Sequence, residues 1–307
     1  MSTNDMDSMD RMIEKTRTEM TGSTTAAGNV PAAGEEKRSA DRELLRQTLP
    51  EMEVRNLSFA YGKQPVLRDV SLMIPRGKVT TIMGANGCGK STLFALMTKN
   101  LTPGRGKIFL RGKNIANLNL KDYAREVSIV QQYNTAADDI TVERLVAFGR
   151  TPYLRLMQEK TDEDERAVEW AMEVTNVAEF RDREIARLSG GQRQRVWIAM
   201  ALAQSTKILF LDEPTTYLDI RYQIEILQLV RKLNREYGMT IVMVLHDINQ
   251  AIFYSDEVTG LADGKVAVAG SPQEVITQES IQKLFGISLE VTRIGGSKHV
   301  MLTQALT

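Results

Sequence analysis

Cysteine is almost missing from this sequence of 307 residues. Cys88 stands alone, so no disulfide can form within the chain, and a reducing compartment suits it. Net charge is missing too. Lys+Arg and Asp+Glu both total 39, which leaves no broad positive field of the kind that drives sequence-independent nucleic-acid binding. No nucleic-acid partner is expected, and any phosphate chemistry must sit in a local site. The longest apolar runs, such as Thr240–Leu245, fall far short of the roughly 20 residues that cross a bilayer. The start of the chain shows no basic-then-apolar signal pattern. A soluble protein is expected, one that works at a membrane only by docking onto something embedded there. Aromatic residues are missing before Phe59, and the opening stretch is rich in Ser, Thr, Ala, Gly, Glu and Lys. Such a composition buries too little apolar surface to offset its ordering entropy. Residues 1–48 are therefore expected to form a disordered arm, with a short helix near Asp41–Gln47.

From Glu51 the texture changes. Glu51–Phe59 alternates like a half-buried strand, and Val66–Ile74 resembles a second, followed by a Pro75-Arg76-Gly77 turn. Lys78–Met83 is a short apolar strand leading into the glycine-rich Gly84–Gly89, after which Thr92–Met97 has the density of a buried helix. Thr141–Phe148 reads as a short helix capped by Thr141. Thr161–Val174 reads as a longer one, with Thr161 and Asp164 placed as a capping box and Val168, Ala171, Met172 and Thr175 on one face. A small helical lobe is expected at about 138–187. Strand texture returns at Lys207–Leu211 and Thr240–Leu245, around an amphipathic helix at Tyr222–Tyr237. Alternating strands and helices predict a mainly parallel sheet covered on both faces. No internal repeat is found.

Gly84-Ala85-Asn86-Gly87-Cys88-Gly89-Lys90-Ser91 matches the phosphate-binding loop G-x-x-x-x-G-K-[ST]. Glycines let successive N–H groups curl round the β- and γ-phosphates, and the following helix turns its positive end towards them. Lys90 supplies a mobile charge and the Ser91 hydroxyl can ligate Mg²⁺. Chance would produce this match in roughly one such chain in a hundred, and here it also falls between a strand and a helix. Gly84, Asn86, Gly87, Cys88, Gly89, Lys90, Ser91 and Thr92 are the candidate nucleotide cradle. The strand Lys207–Leu211 runs into two carboxylates: Asp212 is placed to hold the Mg²⁺ shell, and Glu213 to orient and deprotonate an attacking water. Cys88, beside a helix start and Lys90, is expected to have a lowered pKa and to be protected from alkylation by nucleotide.

The pentapeptide Leu188-Ser189-Gly190-Gly191-Gln192 would arise by accident in roughly one chain in several thousand. Ser189 is placed to cap a helix through Arg193–Leu202, and two glycines leave its first N–H groups open to an anion. At this point the sequence resembles the ABC ATPase family, from about Glu51 to the C-terminus. The resemblance implies a P-loop NTPase α/β core with a mainly parallel sheet, an antiparallel β subdomain and an inserted α-helical subdomain. The ATPase domain would occupy 49–285 and a hairpin extension 286–307. It implies ATP and Mg²⁺, and a homodimer in which Ser189, Gly190, Gly191 and Gln192 close over the γ-phosphate held by a partner subunit. Tyr61 matches the aromatic that stacks on adenine. Gln131, after the strand Val127–Val130, matches the glutamine that senses Mg²⁺ and links the lobes; Gln132 beside it leaves the register open by one. Thr216-Tyr217-Leu218-Asp219 matches the loop through which dimer partners touch, and His246 the switch histidine on the γ-phosphate. His299, with no motif around it, reads as structural.

Within the family, Phe148-Gly149-Arg150-Thr151-Pro152-Tyr153 and the tail beyond Ser271, read as two short helices and a hairpin of Leu289–Ile294 with His299–Leu302, resemble the ATPases of importers for iron–siderophore complexes, haem and vitamin B12. That resemblance implies two transmembrane permease subunits, an extracytoplasmic substrate-binding protein, and a peripheral place on the cytoplasmic face of the cell membrane. The rivals fit less well. ABC ATPases of ribosomes usually carry two cassettes, those of DNA a long coiled coil, and a non-catalytic module would lack Glu213 or His246. A stand-alone kinase does not explain Leu188–Gln192.

Overall fold

The alternating Glu51–Phe59 and Val66–Ile74 segments become Met52–Tyr61 (β1) and Gln64–Ile74 (β2), an antiparallel pair in register from Met52↔Ile74 to Tyr61↔Gln64. The computed structural model describes residues 49–154 and 161–306. The expected arm over 1–48, with its helix near Asp41–Gln47, lies outside the described residues. Onward in the chain come Val79–Met83 (β3), Lys90–Met97 (α1), Arg105–Leu110 (β4), Lys113–Asn114 (β5), Leu120–Ala124 (α2), Val127–Val130 (β6), Val142–Ala147 (α3), Asp162–Val174 (α4) and Gly190–Ala203 (α5). Ile208–Asp212 (β7), Ile220–Tyr237 (α6), Thr240–Val244 (β8), Ile248–Tyr254 (α7), Glu257–Ala262 (β9) and Lys265–Gly270 (β10) follow. Pro272–Val275 (α8), Gln278–Phe285 (α9), Ser288–Ile294 (β11) and Ser297–Leu306 (β12) complete the described chain.

Among the described residues the strands form three sheets. The central one has the order β10-β9-β3-β8-β7-β6, parallel except for the β10 edge. An antiparallel sheet has the order β2-β1-β4-β5, and β11 pairs with β12 as a hairpin longer than the expected one. Alternation along the central strands builds a core on each face. On β7, Ile208 and Phe210 join the antiparallel sheet and α1 in one cluster, where Phe94 meets Phe210 edge-on at 5.5 Å. Leu209 and Leu211 face the other cluster with α5, α6 and α7. On β8, Val242 and Val244 likewise oppose Ile241 and Met243. Helix α1, carrying the loop before it, is thus wedged between two sheets.

The helical segment opens at Ile140, whose carbonyl accepts from Ile185 N–H at 3.0 Å, so the chain leaves and re-enters at one place. Thr141 caps α3 by accepting from Arg144 N–H at 3.4 Å. Thr161 and Asp164 form the expected capping box on α4, and Val168, Ala171, Met172 and Thr175 are buried. Helix α5 packs on both α3 and α4. Buried Arg150 ties these parts together: Nε donates to Asp164 Oδ1 at 2.7 Å, and Nη1 donates to the Ala203 carbonyl and Ser205 Oγ, both at 2.9 Å. Among the described residues no helix is long and apolar enough to cross a membrane.

Candidate active site

The candidate residues gather where the parallel strands end. Strand β3 ends at Met83 and the glycine-rich loop follows; β6 leads to Gln131 and Gln132, β7 to Asp212 and Glu213, and β8 to His246. In open α/β sheets this carboxyl edge is where ligands sit. The loop can turn there because Gly84 (φ 141°) and Gly89 (φ 106°) take backbone angles that other residues rarely adopt. A Cβ on Gly84 would also lie 2.2 Å from the Leu261 carbonyl oxygen. Lys90, the first residue of α1, is buried, and its Nζ donates to the carbonyls of Gly84 (2.8 Å) and Ala85 (3.0 Å). Lys90 therefore spans its own loop. Asn86, Gly87 and Ser91 are exposed, whereas Thr92 is buried. A cleft of about 840 Å³ opens beside the loop between Asn86, Gly87, Cys88, Val66 and Asp263. Tyr61, half exposed, lies at the end of β1 opposite Gln64, another residue lining that cleft.

Glu213 is the centre of a polar cluster drawn from three strand ends. His246 Nε2 lies 2.6 Å from its Oε1. Gln132 Nε2 donates to Oε2 at 2.6 Å, and Thr216 Oγ1 donates to the same oxygen at 3.1 Å. The backbone of Glu213 has φ 50°, a left-handed conformation that costs a non-glycine residue about 1–3 kcal/mol and persists only where neighbours over-determine it. The three side chains around its carboxylate supply that constraint. The glutamine bonded to Glu213 is Gln132, the second of the two between which the sequence left the register open. Strand β6 ends at Val130, and the next two side chains diverge: Gln131 is exposed while Gln132 turns inward to Glu213.

Asp212 closes β7 one residue earlier. Burial, and then the negative charge of Glu213, push its carboxyl up to about 6, while His246 and Lys90 pull the other way. Its Oδ1 is buried and has no hydrogen-bond partner among the described residues. An oxygen-only donor set of Asp212 and the exposed Ser91 hydroxyl suits a hard cation that keeps water and phosphate ligands. Cys88 departs from expectation. Burial raises the thiol pKa and outweighs the opposing charge of Lys90, because the side chain is turned into the protein beneath Gly84.

The pentapeptide Leu188–Gln192 starts α5 as a capping box. Ser189 Oγ accepts from Gln192 N–H at 3.3 Å, and Gln192 Oε1 accepts from Ser189 N–H at 2.9 Å. Among the described residues no hydrogen bond joins this turn to the glycine-rich loop. Asp219 caps α6, its Oδ1 accepting from Tyr222 N–H at 3.0 Å. Sequence reading missed Tyr222. Its ring lies so close over Gly191 that an added Cβ there would meet ring carbons at 2.3 Å, and its hydroxyl is 3.5 Å from Ser189 Oγ. No local pattern marks it.

A glycine-rich loop ahead of a helix, paired carboxylates after a parallel strand and a capped Ser-Gly-Gly turn on a separate helical lobe together define a P-loop ATPase of the cassette kind. The ABC transporter family profile matches residues 67–216. The iron(3+)-hydroxamate import ATP-binding protein FhuC of Bacillus subtilis (strain 168) is 44% identical over 256 residues, covering 83% of this chain and 95% of that protein. The ferric enterobactin transport ATP-binding protein FepC of Escherichia coli (strain K12) is 43% identical, over 79% of this chain and 90% of its own length. Among solved structures, an inward-facing ABC transporter described as of metal-chelate type superposes with a TM-score of 0.71 at 26% identity, covering 82% of this chain and 96% of that one. The dimeric bacterial ABC transporter cassette MJ0796 gives 0.63 at 28%, over 72% and 98%. The chain belongs to the ABC transporter ATP-binding family, and is an ATPase that binds ATP.

Proposed function

We propose that the chain powers import of an iron–siderophore complex or related chelate, as a homodimer docked on two permease subunits at the cytoplasmic face of the membrane and served by an extracytoplasmic binding protein. The observation that carries the reading is the Glu213 cluster, in which Gln132, His246 and Thr216 surround one carboxylate beside the glycine-rich loop. The iron chelate rests on the names of the two relatives, one for iron(3+)-hydroxamate import and one for ferric enterobactin transport.

The residues divide the work by chemistry. The N–H groups of Gly84–Ser91 and the Lys90 ammonium would bind the β- and γ-phosphates, and Tyr61 would stack on adenine. Asp212 and Ser91 would hold Mg²⁺, which when bound neutralises charge on the phosphate oxygens. Glu213 would take the proton of the attacking water. Both its oxygens are engaged by its own chain, so a γ-phosphate that draws His246 towards itself frees Oε1 for that water. Ser189, Gly190, Gly191 and Gln192 would cover the γ-phosphate of the other subunit, completing each site only on dimer closure. The test is affinity purification from solubilised membranes with mass spectrometry of the partners. A many-helix permease is the expected partner; ribosomal or chromosomal proteins in its place would overturn the transport reading and leave the ATPase.

A further inference from the structure

Two half-buried glutamines join the loop after Glu213 to the helix after His246. Gln223 Nε2 donates to the Leu218 carbonyl at 2.8 Å. A carbonyl can only accept, so this bond fixes which end of the Gln223 amide is nitrogen. Its Oε1 must then accept, and it does so from Gln250 Nε2 at 2.7 Å. That leaves Gln250 Oε1 facing Thr215, whose hydroxyl donates at 3.3 Å. Each amide orients the next, and the ladder runs in one direction. Its ends grip the segment between Glu213 and Asp219 at two points, Thr215 and Leu218. Its middle is anchored on α7, where Gln250 N–H donates to the capping Asp247 Oδ1 at 2.9 Å, one residue beyond His246.

We propose that Gln223 and Gln250 are positioning residues, which hold His246 in register with Glu213 and couple that contact to the loop Thr216–Asp219. Glu213 and His246 come from the ends of different strands, and a gap of 2.6 Å between them tolerates little displacement, since hydrogen bonds weaken steeply away from their preferred geometry. Amides suit the task. They fix direction without adding a charge: a carboxylate would repel Glu213, and a lysine would compete with His246 for it. The proposal rests on the hydrolytic reading of Glu213. On that reading dimer partners touch through Thr216–Asp219, and the ladder reports their arrival to the hydrolytic cluster.

The test is the steady-state Mg-ATPase of the full-length wild type, Gln223→Leu, Gln250→Leu and the double variant, with KM for ATP measured for each. Each single change is expected to lower kcat about tenfold and to leave KM within about twofold, since the amides bond Thr215, Leu218 and each other and are not among the groups proposed to bind nucleotide. The double variant should be no slower than the slower single, because one ladder is broken either way. Wild-type kcat in the singles, losses that multiply in the double, or a rise in KM matching the fall in kcat would each overturn the proposal. Glu213→Gln is measured alongside. Wild-type kcat in that variant sinks the reading of the site itself, whatever the leucine variants do. If the leucine variants fail to fold, Thr215→Val removes the last rung at constant shape. About a threefold loss of kcat at unchanged KM is expected there, and no loss refutes the ladder.

Discussion

Gly191→Ala is the sharpest perturbation the packing offers. The added methyl would lie 2.3 Å from Tyr222 Cγ and Cδ1 and 2.9 Å from its Cβ. The ring can rotate away, but Cβ moves only with the backbone of α6, whose first turn is held by the bond from Tyr222 N–H to Asp219. Relieving such overpacking costs about 1–3 kcal/mol. Replacing glycine by alanine in a helix returns at most about 1 kcal/mol, and less in the first turn where Gly191 sits. A net loss of about 1–2 kcal/mol is expected, which for a domain of this size lowers Tm by about 3–6 °C. Gly190→Ala is the control, because its methyl meets Leu218 Cδ2 at an ordinary 3.6 Å and should leave Tm unchanged or slightly raised. Thermal and urea unfolding of both variants, repeated in a Tyr222→Ala background, reads the clash directly. Gly191→Ala should cease to destabilise once the ring is gone. An unchanged Tm in the single variant, or the same drop with and without the ring, would refute the claim that Tyr222 excludes every residue but glycine.

Two further predictions come from ionisation. Burial pushes the Asp164 carboxyl up, but bonds from the Thr161 backbone and from Arg150 outweigh it and hold the group below its ordinary 3.8. Ionised Asp164 therefore stabilises the fold fully above pH about 4, and this gain is lost as pH falls through the lowered folded value. Asp164→Asn should be less stable than wild type at pH 7 and should lose less stability below pH about 4; parallel stability curves would contradict this. Cys88, buried with a raised thiol pKa, should react with a neutral alkylating reagent far more slowly in the folded chain than in urea at pH 7.5. Native labelling as fast as that of the unfolded chain would place the thiol outside the protein.

What could be read from the sequence was whatever is local in it. The turn Gly84–Ser91 matches a loop that wraps an anion with consecutive N–H groups, so the chemistry proposed for it is written in eight adjacent residues. The capping box at Thr161 and the cap at Ser189 are local and fold as expected, the latter with Gln192 completing a box that was not foreseen. Strand β6 was legible as an apolar run, yet the sequence left open which of the two glutamines beyond it meets Glu213. Periodicity says that side chains alternate but not which of two adjacent glutamines faces in. Cys88 misled for a related reason. Proximity to Lys90 and to a helix start is visible in the chain, while burial comes from a cluster that includes Leu67 and Leu261, which no local pattern joins to Cys88. Strands β4, β9 and β10 passed unremarked because they are short and gain their pairing from distant partners.

Glu213 shows where the boundary falls. Its identity is plain from the apolar strand that ends beside it, but the role of base proposed for it depends on a left-handed backbone and on three side chains around its carboxylate. Gln132, Thr216 and His246 lie 81, 3 and 33 residues away, and only Thr216 could have been tied to it by local spacing. Gln223 and Gln250 are fainter still, since glutamine on an amphipathic helix ordinarily faces water. Motifs record what must touch the nucleotide, because phosphate permits few solutions. The residues that aim those motifs at one another can be assembled from many side chains, so they leave no motif, and only the hydrogen-bond directions among Leu218, Gln223, Gln250 and Thr215 reveal them.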